Sequence, residues 1–150
     1  MNVSIRPAVV DDIKELGGVF RRASLSNEGD RGYLLAHPEA LVLSDNGIRQ
    51  GRTRVAVDPE NEIVGFASWL VVDGVIELED LFVEPSSMRT GIGRALVLDA
   101  VAVTRNQRFR RLEVTANPHA QAFYEALGFT AGQVVETDFY PALRMHLEVS

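Results

Sequence analysis

Apolar and polar positions change period several times along the chain, and each change predicts an element. Val3 and Ile5 flank Ser4 in the alternation of a short strand that ends near Pro7. Ile13, Leu16, Phe20 and Ala23 then recur at helical spacing behind Asp11-Asp12, where acids suit a helix start. A second helical stretch is expected over residues 32–44, interrupted by Pro38, and Asp45-Asn46-Gly47 reads as a turn. The middle of the chain reads as β: residues 53–57, 63–72 and 75–83. Asp73-Gly74 between the last two is a two-residue hairpin signal. From Gly91 to about Arg105 apolar residues cover most of a helix circumference, which predicts a well-buried helix. Residues 111–115 form the next expected strand. Asn117-Pro118 opens another helix, with Asn as cap and Pro in the first turn, and Gly128 ends it. Residues 134–137 and 143–149 are the last expected strands. The order is mixed α/β, with no internal repeat.

Composition narrows the class. A chain of 150 residues, 46% hydrophobic and 24% charged, predicts one domain over 1–150 that buries its core without staples. The absence of cysteine excludes a disulfide framework, a Cys-based zinc site and a cysteine nucleophile. The net charge of −6 argues against a general nucleic-acid binder. Lys14 is the one lysine among 15 basic residues, so cationic contacts rest on forked guanidinium groups. The longest apolar run, residues 63–72, is far short of the ~20 residues that cross a bilayer. No leader-like segment precedes it, and the expectation is a soluble, cytoplasmic protein away from membranes.

The clearest chemistry lies between residues 81 and 94. A strand ends at Pro85, and a short loop enters a helix through Gly91 and Gly93. Glycines there let backbone N–H groups converge, and the helix start adds partial positive charge, so the segment suits a phosphate or pyrophosphate. Arg89 and Arg94 add charge locally. A Walker loop is excluded because no Gly-Lys-Ser/Thr follows. A dinucleotide fingerprint lacks its third glycine, where Leu96 stands, although Glu113 lies about twenty residues on. A glycine-rich helix cap without a ligand is the plain alternative.

A second constellation is Asn117, Pro118, Ala120, Phe123, Tyr124, Gly128 and Phe129. Asn117 and Tyr124, seven apart, share a face of one helix; the plain alternative is a cap and a core residue. Together the two constellations resemble the GNAT N-acetyltransferases over nearly the whole chain. The loop resembles that family's Arg/Gln-x-x-Gly-x-Gly/Ala motif, with Met88 in place of the Arg/Gln and Arg89 or Thr90 beside it to compensate. Residues 117–129 resemble its Asn-x-x-Ala-x-x-x-Tyr-x-x-x-Gly-Phe motif, and Ile5-Arg6-Pro7-Ala8 with Asp11 resembles its opening.

The resemblance implies a mostly antiparallel twisted sheet of about six or seven strands flanked by about four helices. It implies acetyl-CoA as co-substrate, no metal, and transfer to a primary amine by direct attack. By the same resemblance Leu81, Phe82 and Val83 would hold the pantetheine arm. Met88, Arg89, Thr90, Gly91, Ile92, Gly93 and Arg94 would cradle the pyrophosphate. Asn117 would bind the pantetheine amides, and Tyr124 would protonate the leaving thiolate. The run Leu78-Glu79-Asp80-Leu81-Phe82-Val83 is similar to that of the polyamine acetyltransferases, which implies Glu79 as base, with Asp80 second and Glu113 a weaker alternative. The acceptor is expected to be a small amine or a peptide amine, and a homodimer is the family's common habit. A non-catalytic acyl-CoA sensor or interaction subunit on the same fold is the rival.

Other features carry less. Arg105, Arg108, Arg110 and Arg111 form a basic cluster that reads as a solvated turn, a CoA 3′-phosphate contact or a contact for an acidic partner. His37, His119 and His146 lack metal-ligand spacing. Trp69 is expected in the core.

Overall fold

The computed structural model describes residues 2–137 and 141–150. Its strands are β1 (Ser4–Pro7), β2 (Thr53–Val57), β3 (Ile63–Val72), β4 (Val75–Val83), β5 (Arg111–Ala116), β6 (Thr130–Glu136) and β7 (Pro141–Glu148). Its α-helices are α1 (Ile13–Leu25), α2 (Glu28–Ala36), α3 (Asn46–Arg49), α4 (Ile92–Asn106) and α5 (Gln121–Ala126). The strands follow the order β1-β2-β3-β4-β5-β7-β6 in a mixed α/β, mostly antiparallel sheet. The chain divides into two compact units, Met1–Ser68 with Asp80–Val97, and Trp69–Glu79 with Leu98–Ser150.

In the first unit β1 pairs antiparallel with β2, and β2 with β3, in register Val55↔Phe66 and Thr53↔Ser68. Its core joins Leu16 and Val19 of α1 to Ile48, Val55, Val57, Ile63 and Phe66, with Phe20 and Phe82 packed against them. Asp11 and Asp12 stand at the helix start, as expected, in the first turn of the 3-10 segment that leads into α1. A short 3-10 turn precedes α1, and the buried Asp12 carboxylate accepts from Val9 N–H at 2.8 Å and from both Arg6 Nη atoms at 2.8 and 3.1 Å. Those bonds, the Arg6 pair foremost, hold its pKa below the usual carboxylate range.

The stretch expected as one helix over residues 32–44 is two pieces. Asn27 caps α2 by accepting from Gly29 N–H, which starts that helix earlier. Pro38 then opens a separate 3-10 turn, Pro38–Leu41, because it cannot continue a helix it enters. Asp45-Asn46-Gly47 is not a plain turn either. It starts α3, where Arg49 N–H reaches the Asp45 carbonyl at 3.0 Å. Gly47 is required there, since a Cβ would stand 2.7 Å from Thr53 Oγ1.

In the second unit β4 and β5 pair in parallel over Ile76–Leu78 and Leu112–Val114. Strand β7 lies between β5 and β6 and runs antiparallel to both. Strands β5, β6 and β7 are each longer than expected by one to four residues at an end. Trp69 is buried, as expected, as are Ile76, Leu112 and Met145 of the same unit. Helix α4 is not buried all round: Leu98 is 48% exposed, while Ala100 and Thr104 are buried. Thr104 meets its buried environment by donating to the Ala100 carbonyl at 2.8 Å.

Both edge strands are interrupted. β1 ends at Pro7, and β6 carries a bulge between Ala131 and Val134 where Gly132 would place a Cβ 3.1 Å from the Arg144 carbonyl.

Candidate active site

The hairpin between β3 and β4 turns at Asp73 (φ 50°) and Gly74 (φ 81°), as the dipeptide predicts. It alternates Phe66 and Ser68 on one strand against Asp80 and Phe82 on the other. Phe82 meets Phe20 edge-on at 4.8 Å and Phe66 at 5.7 Å. Asp80 accepts a 2.5 Å hydrogen bond from Ser68 Oγ. Burial raises the Asp80 pKa above the carboxylate range, opposed by the Ser68 bond and the charge of Arg52.

Beyond Val83 the backbone turns at once. Ser87 N–H reaches the Glu84 carbonyl at 2.8 Å, and Thr90 Oγ1 donates to the Ser87 carbonyl at 2.5 Å. Glu84 is held by the fork of Arg22 at 2.7 and 2.8 Å, which ties the end of β4 to α1. Arg89 (φ 65°) and Gly91 (φ 86°) are both left-handed. The first carbonyl used inside the helix is that of Gly91, taken by Ala95 N–H at 3.0 Å. The N–H groups of Ile92, Gly93 and Arg94 therefore open the helix without intrahelical acceptors. Met88, Arg89, Thr90, Gly91 and Arg94 are exposed, and Arg89 and Arg94 make no side-chain ion pair among the described residues. Gly65 lets this helix approach β3: a Cβ there would meet the Phe82 carbonyl at 3.0 Å and Ile92 and Leu96 at 3.1 Å. Leu81, Phe82 and Val83 of β4, the loop and Asp80 thus belong to the first unit.

Glu79, Asn117 and Tyr124 belong to the second. Glu79 is exposed on β4. Asn117 is a cap, the plainer of its two readings: Oδ1 accepts from Ala120 N–H at 2.9 Å. The helix expected from Asn117 is a 3-10 turn, Pro118–Ala120, followed by α5. The seven-residue spacing to Tyr124 is therefore not two continuous α-helical turns, because Pro118 and the Asn117 cap tighten the first turn. The Tyr124 ring is buried against Phe123 and Phe129, with centroids at 5.1 and 5.2 Å. Burial pushes the phenol pKa up, so it stays protonated. Its hydroxyl makes no hydrogen bond among the described residues.

Glu113 is in neither of the situations the alternatives needed. Arg144 Nη2 holds it at 2.6 Å, and the same guanidinium holds Glu77 at 2.8 Å and Thr115 Oγ1 at 2.7 Å. A carboxylate so tied is a poor base and a poor ribose acceptor. No group of three or more metal-ligating side chains occurs among the described residues.

A profile described as the Acetyltransferase (GNAT) family matches residues 22–129. The chain belongs to that family. Other GNAT proteins agree with it in part or in fold. It is 31% identical over 80 residues to a glucosamine 6-phosphate N-acetyltransferase of Trypanosoma brucei brucei, a match covering 49% of this chain and 54% of that protein. The chain thus spans about half the length of that curated relative. The fold is that of a phosphinothricin acetyltransferase from Sinorhizobium meliloti solved with AcCoA, at TM-score 0.74 and 18% identity over 99% of this chain and 89% of that one. It is also that of an HPA2-related acetyltransferase from Corynebacterium glutamicum, at TM-score 0.76 and 23% identity over 97% and 96%. Within this GNAT chain, Ser68 and Arg22 were missed from sequence. The alternation on either side of Asp73-Gly74 is the signal that places Ser68 with Asp80. Nothing local signals a pair 62 residues apart such as Arg22–Glu84.

Proposed function

We propose that residues 1–150 act as one acetyl-CoA-dependent N-acetyltransferase domain for a primary amine. The observation that supports this best is the entry to α4. There Gly91 at φ 86° precedes three N–H groups without intrahelical acceptors, flanked by guanidiniums of Arg89 and Arg94 that are unpaired among the described residues. Backbone N–H groups and forked cations suit the two charges of a pyrophosphate. Met88, half exposed, is not needed for that work. The parallel pairing of β4 stops at Leu78, so the backbone of Leu81–Val83 lies past it for the pantetheine amides.

An alkyl amine has a pKa of about 10.4 and arrives protonated. A carboxylate takes that proton, directly or through water. The amine nitrogen then attacks the thioester carbonyl, the C–N bond forms and the C–S bond breaks. Tyr124 gives its proton to the departing thiolate, and the products are an amide and free CoA. Glu79 is the base by resemblance. Asp80 is a second candidate on a specific observation, its burial beside the Ser68 hydroxyl. The acceptor is a small amine, and the amino sugar phosphate named for the trypanosomal relative belongs in the set to test.

The test is thiol release from acetyl-CoA across polyamines, amino acids, amino sugar phosphates and N-terminal peptides. Turnover with at least one amine is expected. Tight acetyl-CoA binding with no thiol release from any amine would leave the acyl-CoA sensor instead.

A further inference from the structure

Helix α4 ends in an arrangement that the acetyltransfer chemistry does not use. Phe109 N–H bonds the Thr104 carbonyl at 3.0 Å, and Arg108 N–H bonds the Arg105 carbonyl at 3.0 Å. That pair of bonds is a Schellman cap, whose left-handed position normally holds glycine. Here it holds Arg108, at φ 65°. Helix α5 of the same unit ends in the same two bonds, from Phe129 to Tyr124 and from Gly128 to Glu125, with glycine at the left-handed position, φ 97°. One cap follows the rule and the other carries a guanidinium at the cost of backbone strain. Strain kept at one position invites a functional reading of the side chain there.

Around Arg108 lies an open groove of about 620 Å³, lined by Arg105, Arg110, Phe109, Val149 and Glu148 among others. Its size is that of a metabolite site. The Arg108 and Arg110 side chains make no hydrogen bond or ion pair among the described residues. Among the described residues Arg105 uses its Nε, donated to the Ser150 main-chain oxygen at 3.0 Å. Glu148, the acid of the groove, is already held by Arg111 at 2.7 Å. Two of the carbonyls that face the end of the helix, those of Thr104 and Arg105, are taken by the Schellman bonds. Three guanidiniums therefore line a space shared with Ser150, whose one acidic side chain, Glu148, is paired with Arg111, and whose apolar lining is Phe109 and Val149. One cation would suffice to complement the helix dipole; three converging on a groove go beyond that.

We propose that this groove is a second anion site, for a phosphate ester of metabolite size whose organic part rests on Phe109. It shares no residue with the glycine loop: the groove is lined by residues 105, 108–110 and 148–150, and the loop is residues 88–94. A phosphate there would take forked bonds from Arg108 and Arg110, and Arg105 would keep its terminal nitrogens for a third.

The experiment is isothermal titration calorimetry on the CoA-saturated protein with adenosine monophosphate, inorganic phosphate and citrate. Binding of adenosine monophosphate is expected to be tightest. Phosphate binding equal to it removes the role of Phe109, and citrate binding above both makes the class polycarboxylate; either result overturns the ligand assignment. Arg108→Ala/Arg110→Ala is expected to weaken binding at least about tenfold with its melting curve unmoved. Arg108→Gly is expected to raise the melting temperature while weakening binding, a pairing that a purely structural arginine does not produce. Absence of binding to the CoA-loaded protein, or wild-type binding by either variant, overturns the site. Should CoA itself not bind, the acetyltransferase reading fails on its own, and the same titration without CoA, with Arg89→Ala/Arg94→Ala as the loop control, still decides the groove.

Discussion

The two ends of α4 are built alike and left in opposite electrical condition. Each has an arginine at φ 65°, Arg89 before the helix and Arg108 after it, with neither side chain paired among the described residues. At the start, Gly91 adds a second left-handed residue and the opening N–H groups stay free of intrahelical partners. At the finish the Schellman bonds take the Thr104 and Arg105 carbonyls. The start offers backbone and side chain to an anion; the finish offers side chain alone. Substitution at the first end should therefore be sensitive to backbone conformation, and at the second to charge.

The largest effect should come from a residue that separates chemistry from anchoring. Tyr124→Phe should lower kcat about 100-fold while acetyl-CoA affinity stays within about twofold, read by steady-state kinetics and calorimetry. Unchanged kcat would remove Tyr124 as the proton donor.

Gly91→Val comes next. A β-branched residue at φ 86° is strained by roughly 1–2 kcal/mol, and the helix entry must shift to relieve it. Acetyl-CoA should then bind at least about tenfold more weakly, and its stabilisation of the fold should shrink in a melting assay. If Gly91→Val binds as well as wild type, the start of α4 is read by side chains alone and the contrast between the two ends disappears.

The base is tested by pH. Glu79→Gln should depress activity most at low pH if Glu79 collects the amine proton. Asp80→Asn should do so instead if the buried carboxyl is the base. Asp80 also carries a stability signature. Burial holds its folded pKa above the ordinary carboxylate value, so the native state keeps that proton longer than the unfolded chain. Its contribution to stability is present below the unfolded pKa and is lost as pH rises through the folded value. Asp80→Asn should therefore gain stability relative to wild type at neutral pH and lose that advantage in acid, as chemical denaturation at two pH values would reveal.

The smallest effect sharpens the finish. Gly128 sits at φ 97°, and a Cβ added there would lie 3.4 Å from Leu147 Cδ1. Gly128→Ala should cost about 1 kcal/mol by denaturation. A neutral outcome would mean that the left-handed position in these caps is cheap, and Arg108 would then hold its own without strain.

Sequence made the regular parts of the fold legible because they are carried by local periodicity. The residues of β2, β3 and β4 and the Asp73-Gly74 turn lie where alternation and turn chemistry put them. The segment between α1 and β2 was misread because caps decide it: Asn27, Pro38 and the Asp45–Arg49 contact act within four residues, below the reach of a hydrophobic pattern. The glycine loop was legible since its chemistry depends on backbone conformation, which glycine advertises. Of the five acids from Asp73 to Glu84, Glu77 is held by Arg144 and Glu84 by Arg22. Those partners lie 67 and 62 residues away, where no spacing rule operates.

The interrupted outer strands have a consequence for how this protein behaves in company. A sheet ends in rows of unused peptide groups, and an uninterrupted row is a template on which a like chain can grow. Pro7 withdraws a donor from one row, and the bulge at Ala131–Val134 bends the other out of register with any straight partner. Val134, 65% exposed, is the side chain such growth would otherwise recruit. A proline and a bulge are two local irregularities of the kind that deny a straight partner strand its row of hydrogen bonds.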